Sequence, residues 1–148
     1  MKRIIILGSN GKVGKRINDY LSIKNKVFND RNLLIKELIN FDFISKNKIQ
    51  CIINCIGSHK SSGHFYLSNF IIPAYISKEL SKLNNLLEYK LRVIHFSSIG
   101  SNAPYSKLNF NELKININQR RKLDFNLYEF SKFTGDFLLK NNLNNSIN

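Results

Sequence analysis

The chain has no tryptophan, one methionine, two prolines and two cysteines in 148 residues. Two cysteines rule out a disulfide-stapled scaffold and fall short of a thiolate zinc site, so no metal is expected. Both lie in Gln50-Cys51-Ile52-Ile53-Asn54-Cys55-Ile56, a strand-like run. Residues i and i+4 of one strand share a face but stand about 13 Å apart, too far for a disulfide. They read as reduced core thiols. Long hydrophobic runs are missing too, and no segment approaches the ~20 apolar residues that span a bilayer. The apolar start Ile4-Ile5-Ile6-Leu7 behind Lys2-Arg3 ends too soon for a secretory signal. The expectation is a soluble, cytoplasmic chain with no membrane partner. Acidic residues are few: 10 Asp+Glu against 23 Lys+Arg give a net charge of +13. The cations are mostly lysines scattered along the whole chain, without clustered arginines or interleaved aromatics, so nucleic acid is not expected as a partner. Alanine is almost absent while Asn, Lys and Ile abound. That bias fits A+T-rich coding better than a selected basic patch, although a basic rim would still attract a small anionic ligand.

What is present is an alternation. Flat apolar runs at Arg3–Leu7, 50–56 and 91–96 read as parallel strands buried on both faces, with a weaker strand at Lys26–Asn29. Helical patterns fill the gaps at 13–22, 33–44, 66–87 and 127–140. Strands alternating with helices predict an α/β fold. Right-handed crossovers make it a Rossmann-type, doubly wound, three-layer sheet. The length predicts a single domain over 1–148 with a polar tail from about 141. Residues 100–126 are the least regular and read as a long loop with a short helix.

The first strand runs straight into Gly8-Ser9-Asn10-Gly11-Lys12-Val13-Gly14 and then a helix. Strand, glycine turn and helix in this order are the context of a dinucleotide fingerprint. Glycine lets the backbone approach a pyrophosphate, and the helix start offers free N–H groups and a positive dipole end. Gly8, Asn10, Gly11, Lys12, Val13 and Gly14 are therefore cofactor-binding candidates. A P-loop is excluded, since position 9 is serine rather than glycine and Arg16 stands where Ser or Thr should follow Gly14-Lys15. Asp30 lies about twenty residues past the glycines, where a ribose-binding carboxylate belongs. Arg31 beside it suits a 2′-phosphate, so NAD and NADP both remain open.

Tyr128 and Lys132 stand four residues apart, on one face of the predicted helix. A tyrosine with pKa near 10 needs about 4 kcal/mol of preferential phenolate stabilisation to work near pH 7. Lys132 one turn away, together with an oxidised nicotinamide ring, supplies charge of the right sign. Ser98, just past the 91–96 strand, lies at the sheet edge where ligands bind. Tyr128 as acid/base, Lys132 as its charge partner and ribose holder, and Ser98 on the substrate oxygen form a proton-transfer set for hydride chemistry.

With these residues on the page, the chain resembles the short-chain dehydrogenase/reductase superfamily. The resemblance is to its extended branch of NAD-dependent epimerases, dehydratases and reductases, notably the dTDP-4-dehydrorhamnose reductase type. Residues 2–14, Asp30-Arg31, Asn54-Cys55-Ile56-Gly57, Asn69, Val93-Ile94-His95-Phe96-Ser97-Ser98 and Tyr128-Glu129-Phe130-Ser131-Lys132 carry it. It implies catalytic Ser98, Tyr128 and Lys132, with Ser97 as the alternative serine. It further implies cofactor contacts at Asn54, Gly57, Tyr128 and Lys132, and a nucleotide sugar as substrate. Asn69 matches a helix asparagine near such sites, as a helix-bending or water-holding residue. His59 and His64 read as surface histidines nearby, and a homodimer is a possible assembly. Ile99-Gly100 replaces the Val-Tyr-Gly usual after the serine. The chain is about half a typical member and stops where the next strand should start, so the C-terminal substrate domain is expected to be missing. The alternative reading is a truncated, non-catalytic dinucleotide-binding fragment or interaction module.

Overall fold

Arg3–Leu7 forms strand β1, and all four of its apolar residues are buried. Branched side chains suit an extended backbone, and a strand covered on both faces needs apolar residues at consecutive positions. In the computed structural model β1 is one of two inner strands of a four-stranded parallel sheet, ordered β2-β1-β3-β4, with β2 Lys26–Asn29, β3 Cys51–Asn54 and β4 Arg92–His95. Ile5 registers with Phe28 on one side and Ile52 on the other, and Ile53 registers with Ile94. The structure describes residues 1–31, 33–58, 64, 66–97 and 127–144, without the side chains of 127–129 and 141–144.

The chain leaves β1 first toward β2 and then crosses back to β3, so the sheet direction switches at β1. A crevice at the carboxyl ends of β1 and β3 follows from that switch. Alternate residues of each strand serve two cores. Ile5, Leu7 and Ile52 pack with Leu38, Ile44, Ile76, Leu80 and Leu139. Ile4, Ile6 and Ile53 pack on the other face with Ile17 and Leu21 of helix α1, Lys12–Leu21. Helices on both faces give the three layers the alternation predicts, and the doubly wound parallel sheet is as expected.

Four local expectations need correction. The single helix over 33–44 is two, α2 Ile35–Leu38 and α3 Phe41–Lys46. Asn40 makes the break: its Oδ1 accepts the Phe43 N–H at 2.8 Å while its Nδ2 donates to the Glu37 carbonyl at 2.6 Å. An asparagine that caps one helix and closes the previous one outcompetes a continuous ladder. The helix over 66–87 opens as a π-helical turn, Tyr66–Ile71, before α4, Ile72–Leu86. Pro73 has no N–H to give the Asn69 carbonyl four residues back, which favours the wider turn. The last helix, α5, spans Leu127–Asn144 and so runs four residues past the expected 127–140. Finally, β4 is only partly buried, in contrast to β1. Ile94 is 50% exposed, and the 50–56 and 91–96 runs yield only four-residue strands.

A groove of about 1290 Å³ runs over that open face, lined by Ile53, Leu86, Tyr89 and Ile94 and rimmed by Lys2, Lys24, Lys48, Lys90 and Arg92. It lies toward the amino ends of the strands, away from the crevice. No described helix is long and apolar enough to cross a membrane, and no cluster of metal-ligating side chains occurs among the described residues.

Candidate functional site

Gly8 leaves β1 with φ +77°, a conformation glycine adopts without strain. A Cβ there would also meet Ile56 N at 2.8 Å and the Cys55 carbonyl carbon at 2.9 Å. Gly14 lets the first turn of α1 close on the loop, since a Cβ there would run into the Gly8 carbonyl oxygen and lie 2.8 Å from its carbon. Gly11 occupies the N-cap of α1 with no side-chain cap, and the first turn carries no acidic residue. Asn10, Gly11, Lys12 and Val13 are exposed around that uncapped start. Free N–H groups, a positive helix end and Lys12 beside it suit an anion.

Asp30 locks the turn from beneath. Its Oδ2 accepts Gly8 N–H at 2.7 Å, while Oδ1 accepts Ser9 N–H at 3.0 Å and the Ser9 hydroxyl at 2.7 Å. Ser9 is fully buried, a role its sequence position did not suggest. Arg31 is exposed, with Nη2 3.5 Å from the Ser9 carbonyl.

The second half of the crevice forms where the loop after β3 meets α5. Lys132 is 4% exposed, and its Nζ donates to the Phe96 carbonyl at 3.0 Å. Burial pulls its pKa below the ordinary lysine value, while the charges of Asp136 and Cys55 pull it back. Gly57 faces the same ammonium: a Cβ there would lie 3.0 Å from Nζ. Cys55 links the two halves. Burial and the Asp30 charge push its thiol up to about 11, and Lys132 opposes them.

Asn69, in the π-helical turn, is fully buried. Its Nδ2 donates to the Ser58 carbonyl and the Ser131 hydroxyl, both at 3.0 Å, and its Oδ1 accepts Ser58 N–H at 3.1 Å. It ties the β3 loop to α5. Gly135 allows the close approach, because a Cβ there would strike the Asn69 carbonyl oxygen.

Of the expected residues, Gly8, Gly11, Gly14, Asp30, Gly57 and Lys132 converge on the crevice. Tyr128 lies in α5 four residues before Lys132; its side chain, Ser98 and His59 lie outside the described residues. His64 is exposed. Asn54 is fully buried and turned inward: Oδ1 accepts Ile56 N–H at 3.1 Å and Nδ2 lies 3.0 Å from His95 Nδ1. Sequence reasoning missed His95 and Asp136, although Asp136 stands at i+4 from Lys132 and so on its helix face.

A parallel doubly wound sheet with a glycine turn at its switch point defines a Rossmann-type α/β protein. Neither a family model nor a curated protein sequence matches the chain. Solved structures do. The enzyme WbmH of Bordetella bronchiseptica, in complex with NAD+, matches with TM-score 0.64 and 15% identity over 96% of this chain and 52% of that one. UDP-glucuronic acid 4-epimerase from Bacillus cereus, in complex with NAD, gives 0.62 and 14% over 97% and 52%. A dTDP-4-dehydrorhamnose reductase from Clostridium acetobutylicum gives 0.59 and 17% over 94% and 49%. The fold is thus similar to that of the NAD-dependent epimerases and dTDP-4-dehydrorhamnose reductases, as the motifs led one to expect. At these identities the likeness shows the fold alone, and the chain spans about half the length of the structures it matches.

Proposed function

We propose that this chain is the dinucleotide-binding part of an NAD(P)-dependent oxidoreductase or epimerase of short-chain type that acts on a nucleotide-linked sugar. The observation that carries the reading is Lys132. An ammonium 4% exposed, with three donors of which the Phe96 carbonyl takes one, is kept at the crevice against the pull of burial. A cation is held in such a place where a ligand or a neighbouring acid uses it. The glycine turn fits a pyrophosphate, because the cradle at Gly8 and Gly14 leaves no room for a Cβ and the α1 start is uncapped. Asp30 Oδ2 accepts one bond from the turn and keeps a lone pair for a ribose hydroxyl.

In this reading Gly8, Gly11 and Gly14 hold the phosphates, and Asp30 and Arg31 meet the adenosine ribose. Lys132 donates to the second ribose and keeps positive charge beside Tyr128. Tyr128 passes a proton to or from the substrate oxygen, and Ser98 hydrogen-bonds that oxygen. Bound NAD(P) supplies the hydride acceptor or donor. A second reading is a dinucleotide-binding module without catalysis of its own, since the glycine turn and the uncapped start of α1 suit a dinucleotide without any reacting group.

Fluorescence titration with NADH and NADPH, and turnover against a panel of UDP- and dTDP-linked sugars, test both. The first reading expects saturable binding and turnover, with Tyr128→Phe abolishing turnover and sparing cofactor affinity. Turnover unchanged in that variant would overturn the assigned mechanism. Binding without turnover supports the second reading, and absence of binding at millimolar cofactor sinks both.

A further inference from the structure

Asp136 stands one helical turn beyond Lys132 on α5, and the exit of β4 engages both of its oxygens. Oδ1 lies 3.0 Å from Nε2 of His95, a bent contact at ion-pair distance. Oδ2 accepts from the hydroxyl of Ser97. The proton positions follow from the neighbouring bonds. Asn54 Oδ1 accepts Ile56 N–H, so the amide nitrogen faces His95 and donates to Nδ1. Nδ1 therefore accepts, and the imidazole proton sits on Nε2, toward the Asp136 carboxylate. His95 and Ser97 are two residues apart, and both side chains reach Asp136. Between them, the Phe96 carbonyl accepts from Lys132. Two side chains one turn apart on α5 thus grip three consecutive residues.

We propose that Asp136 is a positioning residue of this site: by engaging His95 and Ser97 it anchors the exit of β4 on α5 and holds the Lys132 ammonium at the Phe96 carbonyl. What the anchor serves rests on the reading of Lys132 and Tyr128 as the reacting pair. Proton-transfer geometry tolerates little misplacement, so a helix that carries the reacting groups needs such a fixed point. Ser98 is the next residue in sequence after the anchored Ser97. Asp136 also opposes the loss of charge that burial imposes on Lys132. Among the described residues the other titratable group whose charge acts on the ammonium is Cys55, whose thiol is pushed up to about 11.

The test is NMR on the whole chain with ¹⁵N-labelled histidine and lysine side chains. The parent is expected to show His95 protonated on Nε2 and bare on Nδ1, and Lys132 titrating below an ordinary lysine. Asp136→Asn keeps the shape and removes the charge. It is expected to lower the Lys132 midpoint further and to shift the His95 Nε2 resonance, and Asp136→Glu is expected to restore part of both. A folded Asp136→Asn protein with both signals unmoved overturns the proposal, as does a parent with the Nδ1–H tautomer. Should Asp136→Asn fail to fold, Ser97→Ala removes one arm alone, and an unmoved Lys132 amine resonance there overturns it equally. NADH titration of parent and variant runs alongside: failure of the parent to bind counts against the oxidoreductase reading, while the NMR signals still decide the anchor.

Discussion

A buried ammonium is costly to keep, and Lys132 shows the balance in one side chain. Burial lowers its proton affinity, and the negative charge of Asp136 is the largest force restoring it. The folded value lies below the unfolded one, 10.5, so the unfolded chain binds more protons between the two. Stability contributed by Lys132 is therefore lowest below its folded pKa and rises with pH through that interval. Cys51 and Cys55, whose thiols are raised by burial, act in the opposite sense in the alkaline range. Comparison of variant and parent at matched pH isolates the lysine. Lys132→Met is expected to be no less stable than the parent in urea unfolding at pH 7. The stability difference between variant and parent should shrink as pH approaches 10. A loss of more than about 2 kcal/mol at pH 7 would show that the ion is net stabilising, as a well-paired buried charge is. Single residues were legible in proportion to how local their reasons are. Gly8 and Gly14 follow from the turn between a strand and a helix. Asp30 was placed by spacing, but its grip on Ser9 was not, because a serine in a loop carries no sign of what lies beneath it. His95 and Asp136 were overlooked because their partnership joins residues 41 positions apart.

The elements answer to the same logic with one more competitor, the side chains that end them. Asn40 splits a helical pattern and Pro73 opens a π turn, and both residues are plain in the sequence. What periodicity could not weigh is whether a local hydrogen bond beats the next turn of helix. β4 shows the converse error. Its apolar run reads like that of β1, yet coverage depends on what packs outside the strand. The two cases predict different costs. Ile52, fully buried in β3 against α4, is expected to cost about 2–5 kcal/mol on truncation to alanine. Ile94, half exposed in β4, is expected to cost about 1 kcal/mol, since roughly half of its methylenes already meet water. Urea titrations of the two variants check this, and equal costs would mean that the open face of β4 is covered in solution.

For the molecule as a whole, the dominant property is charge. A net +13 on 148 residues leaves most cations without acids. Among the described residues Lys82 pairs with Glu79, one turn apart on α4, and His95 Nε2 lies 3.0 Å from Asp136 Oδ1. An exposed pair on one helix contributes little, so repulsion summed over the surface outweighs attraction. Folding draws these cations together, and the unfolded chain spreads them apart. At about 0.01 M salt the screening length is roughly 30 Å, comparable to the whole domain, and near 0.15 M it is about 8 Å. Sodium chloride added over that range is therefore expected to raise the melting temperature by a few degrees. On the proposed function, the same screening is expected to weaken binding of the anionic NADH, because the field that strains the fold would also draw a dinucleotide to the turn at Gly8. Opposite slopes against salt, one from thermal unfolding and one from NADH titration, mark the scattered lysines as a single long-range field. A melting temperature that falls with salt would instead mean that specific ion pairs hold the chain together.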